Sequence, residues 1–251
     1  MIQIQSNKTT KMSENIEEFP NSKIKVIQDK EKFCFGIDAV LLAHFARCKG
    51  KIRMADLGTG TGIIPLLFSY LNSEAKIDAL EIQIEQAEAA QRSVCLNNLQ
   101  ERIKIHKGDI KNPFAFLKKN TYDLVTSNPP YIKTDSGTHN KDDAKSIARH
   151  EILCTLDDVC RCASDLLKSK GKFCMIHKPQ RLSEIFDSLK KYCLEPKEIQ
   201  FVQPARNREP NMVMIKAVKN AARETRILPA LCVYDDENKR TAEVDSIYGL
   251  W

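Results

Sequence analysis

The chain has 251 residues, somewhat above the usual length of one domain and within reach of a single α/β sheet wrapped by helices. Its 42% hydrophobic and 29% charged residues supply a sizeable core and exclude large-scale disorder. Lysine and arginine outnumber aspartate and glutamate by 39 to 33, a net charge of +6 that suits a polyanionic partner and equally describes a solvated basic surface. No apolar stretch is long enough for a membrane span, and the start MIQIQSNKTTKMSENIEEFP lacks an apolar signal core, so a cytoplasmic location is expected. The nine cysteines contain no CxxC pair, and in FCF (33–35) and KFCMI (172–176) the thiol reads as a small core side chain, so no metal is expected.

In chain order, residues 1–22 are polar and aperiodic and read as a flexible arm. KIKVIQ (23–28) alternates like a strand, with FCF (33–35) as its candidate hairpin partner. Asp38 stands before AVLLAHFA, placed to cap a helix over about 38–47, and residues 23–50 are expected to pack on the main unit. From 51 to 220, short apolar runs alternate with helical periodicity, the pattern of a parallel sheet with crossover helices. Strands are predicted at 52–57, 76–81, 103–108, 122–127 and 171–177, with helices at about 62–72, 84–98, 156–168 and 181–192. EIQFVQ (198–203) and MVMIKAV (212–218), separated by PARNREPN, predict an antiparallel pair closing one edge, and 221–251 is a carboxyl-terminal tail. The fold expected is α/β, a seven-stranded, mostly parallel sheet with an antiparallel edge strand.

Asp56-Leu57-Gly58-Thr59-Gly60-Thr61-Gly62 follows the first central strand and opens a helix, where an α/β sheet binds a nucleotide. Glycines let a ligand approach the backbone, and the free N–H groups of the next helix favour an anionic group. Ile63 stands where a dinucleotide loop needs its third glycine, so the pattern is GxGxG. Glu81 ends the second strand, where a carboxylate accepts from both hydroxyls of a ribose; a surface acid capping the next helix is the plainer alternative. Asp109 ends the third, placed to hold an adenine amino group while Ile110 packs on the ring.

Asn128-Pro129-Pro130-Tyr131 ends the fourth strand, and with it the chain resembles the class I methyltransferases that modify planar exocyclic nitrogens. That resemblance implies a Rossmann-like catalytic domain over 51–220 and S-adenosylmethionine as cofactor, held by Asp56, Gly58, Thr59, Gly60, Gly62, Glu81, Ile82, Asp109, Ile110 and Asn128. The lone pair of an adenine amino group is delocalised into its ring. The Asn128 side-chain oxygen and the Pro129 carbonyl are suited to accept its two N–H bonds and raise its nucleophilicity, with Tyr131 stacking on the base. Such a transfer needs alignment and electrostatics more than a strong base.

Segment 132–150 is long and polar, in the position of a loop over the target, and Lys133, Arg149 and His150 are candidate contacts to phosphate or base. His44, His106 and His177 are read as structural. FGIDAVLLAHFA (35–46), TSNPPYIK (126–133), ARHE (148–151) and ARNREPNMVMIKAVKN carry a closer similarity to the bacterial tRNA-valine adenine-N6-methyltransferases. It implies RNA, most directly tRNA, as partner, and places Asp38 near the methionine end of the cofactor. Release-factor glutamine methyltransferases share Asn-Pro-Pro-Tyr and are the alternative enzyme. A non-catalytic RNA-binding module is the alternative of another class, supported by Lys197, Arg206, Arg208, Lys216, Lys219, Arg223 and Arg226 against Glu198, Glu209 and Glu224.

Overall fold

The computed structural model describes residues 13–19, 21–29, 36–129 and 154–250. Strands β1 (Glu14–Glu18) and β2 (Lys25–Asp29) form an antiparallel hairpin with Ile16 opposite Ile27, apart from the main sheet. The partner of β2 therefore comes from residues expected in the flexible arm, whereas FCF (33–35) lies outside the described residues. The ENIEE stretch is mostly exposed and offers no apolar alternation, which is why composition hid the strand.

Helix α1 (Ile37–Phe45) is buried on nearly every side, consistent with IDAVLLAHF having almost no polar face. It starts one residue earlier than expected, on Gly36, without a side-chain cap, and Asp38 lies inside its first turn. Next come β3 (Arg53–Leu57), α2 (Ile63–Leu71), β4 (Lys76–Glu81), α3 (Ile84–Leu96), β5 (Ile103–Lys107) and β6 (Tyr122–Ser127). The chain continues with α4 (Leu156–Leu166), β7 (Leu167–His177), α5 (Leu182–Lys191), β8 (Leu194–Ala205) and β9 (Met212–Lys219). It ends with β10 (Arg226–Ile227), β11 (Leu231–Tyr234) and α6 (Ala242–Tyr248).

The main sheet runs β10-β8-β9-β7-β6-β3-β4-β5, with β11 also on β8. Strands β3 to β7 are parallel, so the α/β class and the mostly parallel sheet agree with expectation. It differs in two respects. The antiparallel strand β9 lies between β7 and β8 and not at the edge, and the sheet has nine strands because the tail adds β10 and β11, both parallel to β8. The cause is the length of β8, whose twelve residues pair with β9 on one side and leave a long row of backbone groups on the other. Two short strands cover that row, which is how an exposed edge is blunted.

Apolar residues fill both faces of the sheet. Leu42, Leu67, Phe68, Met54 and Ile77 lie in one cluster with α1 and α2, and Leu166, Phe173, Val125 and Ile185 in another with α4 and α5. Among the described residues no helix is long and apolar enough to cross a membrane. Because β3 is flanked by β4 on one side and β6 on the other, the chain reverses its direction of travel there, and a crevice opens at the carboxyl ends of these strands.

The hairpin is held to α3 by side chains that act as a substitute strand. Ser93 Oγ accepts the Ile27 N–H at 2.9 Å, and the Asn97 side chain accepts the Lys25 N–H at 2.9 Å while donating to the Lys25 carbonyl at 2.7 Å. Ser93 is fully buried, so Ser93→Ala leaves the Ile27 N–H without its acceptor. The expected loss is about 1–3 kcal/mol. Thermal melting and hydrogen exchange at Ile27 check it; unchanged exchange there contradicts the tie.

Candidate active site

Gly58, Gly60 and Gly62 all have positive φ (70°, 57° and 82°), which the loop after β3 needs to turn sharply into α2. A Cβ on Gly58 or Gly60 would meet nothing within 4 Å, so both backbones border open space, whereas one on Gly62 would lie 3.2 Å from the Ala90 Cβ. Gly62 is thus the close-packing position, and the other two line a cradle. The first turn of α2 has no side-chain cap, leaving its N–H groups for an anionic ligand group. Glu81, buried at the end of β4, braces the cradle: its carboxylate accepts the Gly60 N–H at 2.8 Å and the Gln83 N–H at 2.9 Å.

Asp56, at 1% exposure, accepts from Thr126 Oγ1 at 2.5 Å. Its other oxygen, Oδ2, and Thr59 Oγ1 are buried without a hydrogen-bond partner among the described residues. Burial pushes the Asp56 carboxyl up to about 6, against the Thr126 hydrogen bond and the pull of the neighbouring Thr59 hydroxyl, which lies close without a well-formed bond, and with the Glu81 charge adding to the rise. A buried carboxylate and hydroxyl with unused capacity, beside open space over two glycines, fit a ligand carrying hydrogen-bond donors and positive charge. Thr126 was not foreseen; its signal was a polar residue directly after the buried apolar pair Leu124-Val125 of YDLVTS.

β3 pairs with β6, with Asp56 opposite Thr126 and Leu57 opposite Ser127, so Asn128 emerges one strand from the glycine loop. Asn128 Nδ2 donates to Asp38 Oδ2 at 2.9 Å, which joins α1 to the end of β6. Pro129 follows, half-buried. His177, at the end of β7, is buried, and its ring accepts the Lys178 N–H at 2.7 Å. Burial first, then the Arg181 charge, lowers its pKa to about 4, so it is neutral at physiological pH.

The remaining candidates are spread unevenly. Asp109 turns its carboxylate to the Lys111 N–H at 2.8 Å, Ile110 packs half-buried against the second core cluster, and Ile82 is 38% exposed beyond Glu81. Pro130, Tyr131, Lys133, Arg149 and His150 lie outside the described residues. The carboxyl-terminal cations do not form one surface. Lys216 and Arg226 both pair with Glu198, Lys197 pairs with Glu224, and Lys219 is held by the Ser164 and Leu167 carbonyls and Asn120. Arg206 and Arg208 are different. They are exposed, on the β8–β9 hairpin, at the same end of the sheet as Asn128 because β9 runs antiparallel to β7.

The profile of the methyltransferase small domain matches residues 30–195, and the chain belongs to that family. It is an S-adenosylmethionine-dependent methyltransferase, with the cradle at the carboxyl end of β3 fitted to that cofactor. Among its relatives, a tRNA1(Val) (adenine(37)-N6)-methyltransferase of Porphyromonas gingivalis is 31% identical over 71% of this chain and 72% of its own length. One of the same name from Trichodesmium erythraeum is also 31% identical, over 64% of this chain and 66% of its own, just under two thirds. The solved structure of a predicted O-methyltransferase from Agrobacterium tumefaciens superposes with a TM-score of 0.71 at 23% identity, covering 85% of this chain and 96% of that one, a likeness of fold.

The raised carboxyl of Asp56 carries a prediction with a definite sign. Its pKa stands above the ordinary 3.8, so keeping it ionised in the fold costs on the order of 3 kcal/mol at neutral pH; that cost starts to fall as pH drops through about 6 and is gone only below the ordinary 3.8. Asp56→Asn should therefore melt at or above the wild-type temperature at pH 8, with the difference narrowing below pH 6 and closing only near the ordinary carboxyl value of 3.8, while binding S-adenosylmethionine about tenfold or more weakly. Melting curves across pH and calorimetry check both halves. Lowered stability with unchanged affinity contradicts the assignment.

Proposed function

We propose that this enzyme methylates the N6 amino nitrogen of an adenine in tRNA. The observation that carries the chemistry is Asn128-Pro129 at the end of β6, one strand from the glycine loop. An uncharged amide followed by a proline carbonyl offers two acceptors and no strong base, which matches a planar amine whose two N–H bonds must be held while its lone pair attacks. S-adenosylmethionine, when bound, supplies an electrophilic methyl group with its own leaving group. The chain's part is to align and polarise. Asn128 and Pro129 accept the amine hydrogens, Tyr131 stacks on the base, and the surplus proton leaves along one of those hydrogen bonds to water. Asp56, Glu81 and the glycine loop hold the cofactor, with Ile82, Asp109 and Ile110 at its adenine end, and Lys133, Arg149 and His150 reach the RNA.

The choice of tRNA rests on the relatives that carry that substrate in their names and on the charge around the mouth. Arg206 and Arg208 have no ion pair among the described residues. Tyr234, 40% exposed, lies beside Ala205 on the same rim. The hairpin stands two to three strands from β6, roughly 10–14 Å at the usual strand spacing, within reach of nucleotides flanking the target. Cations with an exposed aromatic suit a looped single strand, where an unpaired base is extruded at least cost.

Labelled methyl transfer to folded tRNA, duplex DNA and release factor, measured side by side, tests the proposal. Label in tRNA is the expected result; label in release-factor glutamine alone supports the other enzyme class. Asn128→Ala should lower turnover about 10²-fold with little change in cofactor affinity. Replacing Arg206 and Arg208 together by alanine should weaken RNA binding across sequences and flatten its salt dependence by about one to two counterions, leaving cofactor binding intact. A fall in melting temperature without loss of RNA affinity assigns these arginines to the hairpin alone.

A further inference from the structure

We propose that Asp38 is a positioning residue that sets which end of the Asn128 amide faces the target nitrogen. The inference rests on the reading that Asn128 receives an amine hydrogen. An asparagine amide is nearly symmetric in shape, yet one end accepts and the other donates, and only the oxygen end helps the reaction. Something must therefore fix its orientation.

Asp38 has the chemistry and the seat to do so. It is 8% exposed in the first turn of α1, where Oδ1 accepts the Ala39 N–H at 3.0 Å and Oδ2 accepts from Asn128 Nδ2 at 2.9 Å. A Cβ at residue 36 would stand 2.8 Å from Oδ1, so Gly36 leaves the room in which the carboxylate is lodged. A carboxylate only accepts, so the NH2 end of Asn128 is drawn to it and the carbonyl end is turned away. The two residues are 90 positions apart, and although an acid suits the first turn of α1, where it accepts the Ala39 N–H, that local role takes only one of its oxygens.

The logic makes Asp38→Asn informative. An amide at 38 has one acceptor and one donor. With its oxygen kept on the Ala39 N–H, its NH2 faces Asn128, which must then rotate to answer with its own oxygen. The NH2 of Asn128 is thereby turned towards the target amine, donor against donor. Asn128→Asp alone sets two carboxylates against each other. Combining Asp38→Asn with Asn128→Asp restores a donor to an acceptor, and an oxygen again faces the target.

The test measures kcat, KM for the substrate that the wild type methylates, S-adenosylhomocysteine affinity and melting temperature for the wild type, both single variants and the double variant. Each single variant should lose about 10- to 100-fold in kcat while S-adenosylhomocysteine affinity stays within about threefold. The double variant should recover at least about tenfold in kcat over either single variant, which a merely structural role of Asp38 does not predict. Wild-type kcat in Asp38→Asn, or a folded, cofactor-binding double variant no faster than the slower single, overturns the proposal. Failure of the underlying reading shows separately, as full turnover in Asn128→Ala or no tRNA methylation by the wild type. If Asp38→Asn does not fold, the double variant alone decides.

Discussion

The pairing of β3 with β6 is the constraint on which the rest depends. The chain lays β3, β4 and β5 outward in one direction and then returns to place β6 on the other side of β3. Both strands end at the same level, with Leu57 opposite Ser127, so the glycine loop and Asn128 are separated by one strand spacing, about 4.8 Å. Two buried hydrogen bonds hold the level: Thr126 Oγ1 to Asp56 at 2.5 Å, and Ser127 Oγ to the Leu57 carbonyl at 2.9 Å. A slip of one residue would turn Asp56 and Thr126 to opposite faces and remove Asn128 from the crevice.

Around that pairing the protein keeps polar groups where a core would prefer apolar ones. Asp56, Thr59, Glu81 and Asp38 are all buried near the crevice, and Asp56 Oδ2 and Thr59 Oγ1 have unused hydrogen-bonding capacity among the described residues. Away from the crevice the buried polar side chains among the described residues are satisfied, Arg102 Nε excepted. Asp78, for example, receives Tyr122, His106 and Arg53, and these partners hold its carboxyl below the usual range despite burial. The contrast separates the satisfied cluster around Asp78 from the one at the carboxyl ends of β3 and β4, whose polar groups keep unused capacity at a cost in stability.

Much of this was legible in the sequence because the signals are local. The glycine loop, the acid closing β4 and Asn-Pro-Pro-Tyr each follow a short apolar run, and each sits at the carboxyl end of its strand. What escaped was set by distant pairing. The strand partner of β2 is the mostly exposed ENIEE, which has no apolar period of its own. The interior place of β9 depends on β8 pairing on its far side, the covering of β8 on the tail, and the dispersal of the basic cluster on which end of the sheet each strand reaches. Asp38 was expected as a helix cap; its bond to Asn128 spans 90 positions, beyond any spacing rule.

The central claim is that a cofactor site and an amide acceptor, joined by one strand pairing, act on an adenine amino group in tRNA. Mass spectrometry of nucleosides from purified tRNA, comparing a strain lacking the gene with the same strain carrying it, tests this most directly. The account predicts that N6-methyladenosine disappears from one tRNA in the deleted strain and returns with the wild-type gene. An unchanged tRNA profile, with a methylated glutamine lost from a release factor instead, would contradict it.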